Sequence, residues 1–146
     1  MAAALKLVPT SGWHSLDPHD AAQAVERLMP AALQADDPLA LLHWWKWQLV
    51  AGRFGMVELC TGRNGDPVAG MVYRIDGDAL HVVALASYEK TDLDMITAAD
   101  DAADQLARAY RCTRVRMETV RPGLVRQLER RGWGLRTVEM VRDVRR

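Results

Sequence analysis

The sequence of 146 residues (16.3 kDa) suits one domain with a sizeable core, and we expect residues 1–146 to form it. Hydrophobic residues make up 49% and charged residues 26% of the chain, with a net charge of zero, which argues against a disordered protein. No apolar run reaches the roughly 18 residues of a membrane span, and Lys6 and Pro9 break the start too early for a signal peptide, so we expect a cytoplasmic protein without a membrane partner.

The first third of the chain predicts one short strand and two helices. Leu5–Val8 resembles a strand that Pro9 ends. Asp17 followed by Pro18 is a helix start, and apolar residues at helical spacing extend the predicted helix to about residue 33. A second start signal at residues 36–38 predicts a helix to about residue 51, with a broad stripe of leucines and Trp45 facing the core.

The middle of the chain predicts three antiparallel strands joined by tight turns. The strands are Phe54–Thr61, Pro67–Arg74 and Ala79–Ala86. Asn64-Gly65 and Asp76-Gly77 supply the residues that hairpin turns favour, so each strand should pair with the next one.

The last third predicts a long helix, a strand, a short helix and a final strand. These elements are residues 94–111, Val115–Val120, Leu124–Arg131 and Leu135–Val144. Because a strand–helix–strand unit normally closes right-handed, Ala79–Ala86 and Val115–Val120 should lie parallel with the long helix across one face. The final strand should then add antiparallel to the sheet.

Charge is divided unevenly along the chain. Residues 1–107 hold 7 Lys and Arg against 15 Asp and Glu, a net charge of −8, and residues 108–146 hold 12 Arg against 4 acids, a net charge of +8. Such a split can mark a surface for phosphate or an acidic partner, or the two parts can face each other in the fold. No zinc-finger spacing or interleaved aromatic platform accompanies the arginines, so nucleic acid is not an expected partner.

Cysteines and histidines give little sign of a metal site. Cys60 and Cys112 are too few for a disulfide scaffold or a four-cysteine zinc site, and we expect both to be reduced. The histidines, at positions 14, 19, 43 and 81, show no metal-ligand spacing with acids or cysteines, so no metal is predicted. Phosphate-binding glycine loops and a nucleophile elbow are also missing from the sequence.

An aromatic run interrupts the second predicted helix. It reads His43-Trp44-Trp45-Lys46-Trp47, and only Trp45 falls on the leucine stripe. Trp44 and Trp47 therefore form a second patch beside His43. This patch is either buried on a second side within the domain or binds a protein partner or a second copy of the chain, because aromatic residues are common at interface hot spots.

The order of elements resembles the GNAT (N-acetyltransferase) superfamily over nearly the whole chain. The most specific part is Leu-Val-Arg-Gln-Leu-Glu-Arg-Arg-Gly-Trp at residues 124–133, since it is similar to the family's helix, Gly-Phe and final strand. The resemblance implies an α+β fold with a mixed twisted sheet, in which an antiparallel meander and a central parallel pair are flanked by helices. It also implies acetyl-CoA as donor, held between Ala79–Ala86 and Val115–Val120, and an amine as acceptor. In relatives the second-helix region covers the acceptor, which makes an aromatic acceptor pocket a third option for the tryptophans.

The cofactor signature of that family is missing here. Relatives hold the pyrophosphate on R/Q-x-x-G-x-G/A at the start of the long helix, but this segment reads Ser-Tyr-Glu-Lys-Thr-Asp-Leu-Asp-Met-Ile at residues 87–96. Glu89, Asp92 and Asp94 would repel a diphosphate, and Asp92 or Asp94 is expected to cap the helix. In addition, Leu128 stands at the family's tyrosine acid and Arg121 at a frequent asparagine.

The leading hypothesis is therefore a GNAT-like protein without a competent acetyl-CoA loop. It would bind no cofactor, have no catalytic residue, and act as an interaction or structural subunit through Trp44, Trp47 and His43. Proteins of this fold and size occur in tailed-phage particles and phage genomes. The resemblance therefore implies a second possible location besides the cytoplasm, namely assembly into a phage particle.

The alternative hypothesis is a divergent N-acetyltransferase that moves acetyl from acetyl-CoA to an amine. Arg121 or Arg126 would hold its phosphates, and His81 or a water molecule would deprotonate the amine. The pantetheine arm would bind backbone groups of five consecutive residues: Val83, Ala84, Leu85, Ala86 and Ser87.

Overall fold

A computed structural model describes most of the chain. The described residues are 12–33, 35–61, 65–88, 94–118, 122–136 and 139–145. The predicted strand Leu5–Val8 lies outside them. Seven strands within these ranges form one sheet. From one edge to the other they are Trp13–Ser15 (β1), Gly55–Thr61 (β2), Asp66–Asp76 (β3), Ala79–Ser87 (β4), Arg114–Glu118 (β5), Glu139–Asp143 (β7) and Gly134–Arg136 (β6). No helix within the described ranges is both long enough and apolar enough to cross a membrane.

The helices before the meander begin where the sequence places them. β1 is Trp13–Ser15, α1 is Pro18–Ala24 and α3 is Pro38–Val50; Asp17 and Asp37 cap the two helices by accepting backbone N–H groups three residues further on. The predicted single helix to residue 33 is broken, because a 3-10 turn at residues 25–28 separates α1 from the short helix α2, Met29–Ala32, whose first turn contains a proline.

The predicted meander is confirmed. β2 is Gly55–Thr61, β3 is Asp66–Asp76 and β4 is Ala79–Ser87, and consecutive strands pair antiparallel. Gly65 and Gly77 have φ of +67° and +62°, the left-handed backbone that the two turn sequences supply.

The parallel crossover is also confirmed. α4, Met95–Ala109, joins β4 to β5, Arg114–Glu118, and these two strands pair in parallel. α5 spans Pro122–Arg130.

The single strand predicted over residues 135–144 is wrong. Two strands, β6 (Gly134–Arg136) and β7 (Glu139–Asp143), pair antiparallel with each other, and β7 pairs antiparallel with β5. Alternation of apolar and polar residues is the pattern of one strand or of two, so it could not show that this segment forms two strands.

Two hydrophobic cores cover the two faces of the sheet. One contains Leu80, Val82 and the buried side of α4, and we call this face the α4 face. The other contains Ala84 of β4 together with α1, α2 and α3, and we call it the α3 face. Because side chains alternate along a strand, a polar residue can be assigned to one face from its neighbours.

Candidate functional site

The central parallel pair opens part-way along its length. β4 and β5 are paired from Ala79 with Arg114 to Val82 with Met117, and β4 then runs five residues further while paired with β3. Just past Val82 the register with β3 shifts by one residue, which leaves Val83 as a bulge. Among the described residues, which on β5 end at Glu118, none pairs with the β5-facing edge of Val83–Ser87.

A crevice lies beside this opening on the α4 face. Its lining is almost entirely apolar and comes from β3, β4, β5, α4 and α5, with Asp100 as its acidic member and Leu128 and Trp133 on its wall. Leu85, from the part of β4 beyond its pairing with β5, also lines it. Its interior volume is about 10 Å³, the space of a single water molecule, so these side chains pack closely against one another.

The start of α4 is occupied by its own capping residue. The carboxylate of Asp94 accepts hydrogen bonds from the Thr97 backbone N–H (3.1 Å) and hydroxyl (2.6 Å). These bonds hold the pKa of Asp94 below its usual value. An acidic cap is therefore present, as the sequence predicts, whereas Glu89 and Asp92 lie outside the described residues.

A buried ion network joins α4 to the end of the chain. Asp100 accepts hydrogen bonds from the guanidinium groups of Arg131 (2.6 Å), Arg142 (3.2 Å) and Arg145 (2.5 Å), and Asp104 accepts one from Arg142 (2.6 Å). Burial by itself raises the pKa of Asp100, but these arginines outweigh it, so the net pKa lies below the usual value.

These contacts explain the uneven charge of the sequence. Acidic residues of α4 pair with arginines of the C-terminal third, and Asp78 and Asp76 pair with Arg114 (3.1 Å) and Arg116 (3.5 Å) of β5. The two parts of the chain therefore face each other, which is the second of the two interpretations that the sequence allows. The arginines of these pairs are neutralised within the fold.

A second polar cluster lies on the α3 face, and sequence reasoning missed it. Glu58 of β2 is only 5% exposed, and its Oε2 accepts hydrogen bonds from the Tyr88 hydroxyl (2.7 Å) and from Arg27 (3.0 Å). Burial and the hydrogen bond to Glu58 raise the pKa of Tyr88 far above its usual value, so this hydroxyl stays protonated and donates.

Glycine makes room for this cluster. Gly70 of β3 lies opposite Glu58, and a Cβ atom on it would collide with the Tyr88 hydroxyl. The signal in the sequence was a glutamate at an inward position of an otherwise apolar strand, between Met56 and Cys60.

Among the described residues, no group of His, Cys, Asp and Glu side chains is arranged to hold a metal ion.

Solved structures with this architecture are acetyltransferases. A GNAT-family protein from Desulfovibrio desulfuricans matches 91% of this chain and 98% of its own, with 12% identity and a TM-score of 0.70. The Escherichia coli ribosomal-protein-S18-alanine N-acetyltransferase matches 92% and 94%, with 11% identity and a TM-score of 0.68. AAC(6')-Ib in complex with ribostamycin and coenzyme A matches 90% and 92%, with 12% identity and a TM-score of 0.61.

The chain has the GNAT fold. The sheet order and the α+β class agree with this result, so the predicted fold is confirmed. No family model matches the chain, and no curated protein matches its sequence.

The expectation that no cofactor binds is contradicted. GNAT-fold neighbours include structures solved with coenzyme A, and this is the finding against the expectation. The expectation rested on the acidic side chains that precede α4. The opening between β4 and β5 depends on the backbone instead, and it is present although the segment before α4 lacks the family's glycine signature.

The structure also places the other residues singled out in the sequence. Leu128, which the resemblance puts at the position of the tyrosine acid, is buried on the crevice wall and has no ionisable proton to donate. Arg126 is exposed on α5, and Arg121 lies outside the described residues. Nothing in the GNAT fold itself indicates a non-catalytic or phage role.

His81 lies away from the opening of the GNAT sheet. It is buried in the segment of β4 that is paired on both sides, opposite Arg74 of β3 and Arg116 of β5. The Arg74 guanidinium, which can only donate, is 3.2 Å from His81 Nδ1, so this nitrogen accepts a hydrogen bond. Its use as a catalytic base remains a prediction.

The tryptophans of α3 are divided as the helix pattern predicts. Trp45 is buried, Trp47 is 70% exposed, and Trp44 is 46% exposed with an edge-on contact to Phe54 at 5.3 Å between ring centroids. His43 is exposed beside them. The helix is thus not buried on a second side at Trp47, and its role in binding a partner remains a prediction.

Proposed function

We propose that the protein binds acetyl-CoA in the opening between β4 and β5 and transfers the acetyl group to an amine. The observation that carries this proposal is that, among the described residues, the pairing of β4 with β5 ends at Val82 and is followed by the bulge at Val83. Backbone N–H and C=O groups of β4 beyond that point would be available to a ligand. An extended amide-containing chain can pair with such an edge as an added strand would. GNAT-fold neighbours with bound coenzyme A support the assignment.

The described residues fit the arm of the cofactor better than its phosphates. Val83–Ser87 offer a strand edge that no described residue of β5 occupies, and Leu85 and Leu128 offer an apolar wall. At the start of α4 the Asp94 carboxylate takes up one backbone N–H. Arg126 is exposed on α5, and its guanidinium would bind a phosphate from the solvent side.

The chemistry requires little of the side chains near the opening. Acetyl-CoA supplies a thioester; the amine nitrogen forms a bond to its carbonyl carbon, the carbon–sulfur bond breaks, and the thiol leaves with the proton that the amine loses. Leu128 has no ionisable group, so it cannot supply that proton to the sulfur. We assign no proton transfer to His81, since its Nδ1 accepts a hydrogen bond from Arg74 in the closed part of the sheet.

Calorimetry with acetyl-CoA tests the binding step. We expect a Kd in the micromolar range. In Leu85→Glu the new carboxylate would lie beside the pantetheine arm and repel the phosphates of acetyl-CoA, so we expect a Kd about 10-fold higher. The control is Gln23→Glu, which adds the same charge on exposed α1 and should bind as the parent does. Absence of binding at millimolar acetyl-CoA would overturn the proposal.

Thiol release with a panel of primary amines tests the transfer step. We expect amine-dependent release of coenzyme A above the rate of hydrolysis without amine. A protein that binds acetyl-CoA but acetylates none of the amines would contradict transfer and would return the non-catalytic hypothesis to first place.

A further inference from the structure

We propose that Glu58, acting through Tyr88, is a positioning residue that holds the end of β4 in the conformation that binds acetyl-CoA. This inference rests on the proposed function, because it concerns the strand edge at which the cofactor would bind. Glu58 shares the α3 face of the sheet with Met56, whereas the crevice lies on the α4 face. The carboxylate would therefore act on β4 from the face opposite the crevice.

The end of β4 has less support than its start. Ala79–Val82 are paired with both β3 and β5, whereas among the described residues Ala84–Ser87 are paired with β3 alone. A segment that is paired on one side opens more readily, because fewer backbone hydrogen bonds must break. If only part of the molecules holds this segment in the binding conformation, the apparent affinity for a ligand falls by that fraction.

Tyr88 attaches the end of β4 to three other elements. Its backbone N–H donates to the Val68 carbonyl of β3 (2.8 Å), and its hydroxyl donates to Glu58 Oε2 of β2 (2.7 Å). The Arg27 guanidinium of the 3-10 turn lies over the Tyr88 ring, 5.8 Å from its centroid. The residue that directly follows β4 is therefore held by β3, by β2 and by the turn that follows α1.

Glu58 makes this attachment strong and fixes its direction. It is a buried carboxylate, which is costly unless it is paired, and the same Oε2 accepts hydrogen bonds from Tyr88 and from Arg27 (3.0 Å). Hydrogen bonds to an ionised acceptor are about twice as strong as neutral ones. Gly70 lies between Glu58 and β4, and its missing side chain leaves the space that Tyr88 fills. The close packing at this point suits a fixed support for the strand.

Calorimetry with acetyl-CoA tests the positioning role. Tyr88→Phe keeps the ring and the backbone hydrogen bond but removes the bond to Glu58. We expect its Kd to be about 10-fold higher than that of the parent protein, which corresponds to a binding conformation present in about one-tenth of the molecules. The matched control is Tyr73→Phe, which removes a buried hydroxyl bonded to Tyr110 on the α4 face and should bind acetyl-CoA as the parent does.

A double variant tests whether Glu58 acts through Tyr88. Glu58→Gln leaves only a neutral acceptor for the hydroxyl, so it should also raise the Kd for acetyl-CoA. In the Tyr88→Phe background the same change should have little further effect on the Kd, because the hydrogen bond is already absent. Additive effects on the Kd would contradict the link between the two residues. Where Glu58→Gln fails to fold, the comparison of Tyr88→Phe with Tyr73→Phe decides the question.

Hydrogen–deuterium exchange without acetyl-CoA provides a readout that does not depend on the proposed function. In Tyr88→Phe we expect backbone amides of residues 84–88 to exchange about 10-fold faster, and those of Ala79–Val82 to exchange at the parent rate. Unchanged exchange at the end of β4 would overturn the positioning role. A lower unfolding free energy in urea with an unchanged Kd would likewise show that the contact is only structural.

The outcomes separate this inference from the proposed function. If the parent protein and Tyr88→Phe bind acetyl-CoA equally well, the positioning role is overturned while the proposed function stands. If the parent protein does not bind acetyl-CoA at millimolar concentration, the proposed function is overturned and the positioning role with it, whatever the exchange rates are.

Discussion

Asp100 of α4 and Trp133, which directly precedes β6, are joined by a buried hydrogen bond of 3.0 Å from the indole Nε1 to the carboxylate Oδ1. The same carboxylate accepts hydrogen bonds from Arg131, Arg142 and Arg145. The Arg142 guanidinium also lies over the Trp133 ring, 5.6 Å from its centroid. Asp100 therefore links α4, which lines the crevice, to the C-terminal strands β6 and β7 and their flanking residues.

Replacement of Asp100 should be strongly destabilising. Asp100→Asn leaves Arg142, whose side chain is 3% exposed, with one carboxylate fewer, and we expect a loss of about 3–5 kcal/mol of unfolding free energy in urea. Asp101→Asn is the control, because the Asp101 side chain is 55% exposed, and it should change stability by less than about 0.5 kcal/mol. Similar losses for both variants would contradict the network.

Acid should weaken the fold through the same residue. The folded-state pKa of Asp100 lies below the unfolded one, so its contribution is complete above the unfolded pKa and is lost as pH falls through the folded pKa. We expect the unfolding free energy to be level near neutral pH and to fall from about pH 4 downwards. Asp100→Asn should flatten this acid limb in a urea-midpoint series. An unchanged limb would mean that other carboxyl groups dominate it.

The sequence predicted the local elements well because their signals are local. Asp17-Pro18 and Asp76-Gly77 fix a helix start and a turn from neighbouring residues alone, and the meander that follows from such signals is confirmed. The reversal between β6 and β7 was missed, since an alternating pattern reads the same in one strand or two.

The site was harder to predict because its contacts are distant in the chain. Trp133 and Arg145 reach Asp100 across 33 and 45 residues, and Tyr88 reaches Glu58 across 30. Composition showed only that acids and arginines were segregated, and it could not show which residues pair. The cofactor expectation failed for a related reason: side chains of a loop are visible in a sequence, whereas an opening between two strands is not.

A larger residue at position 70 should displace Tyr88 from Glu58. In Gly70→Ala the added methyl group overlaps the Tyr88 hydroxyl, and we expect a loss of about 1–3 kcal/mol of unfolding free energy. Tyr88→Ala removes the obstacle, so the double variant Gly70→Ala/Tyr88→Ala should be more stable than the sum of the single losses predicts. Strict additivity in this cycle would show that Tyr88 does not lie over Gly70.

The exposed tryptophans of α3 should matter for association and little for folding. Trp47 is 70% exposed, and Leu39 and Val50 on the same helix are 63% and 55% exposed. If this face binds a second copy of the chain, light scattering will give a mass above 16.3 kDa that returns to the monomer value in Trp44→Ala/Trp47→Ala. The control Arg126→Ala alters an exposed residue of α5 and should leave the mass unchanged. A parent protein that is monomeric at high concentration would contradict self-association through these tryptophans.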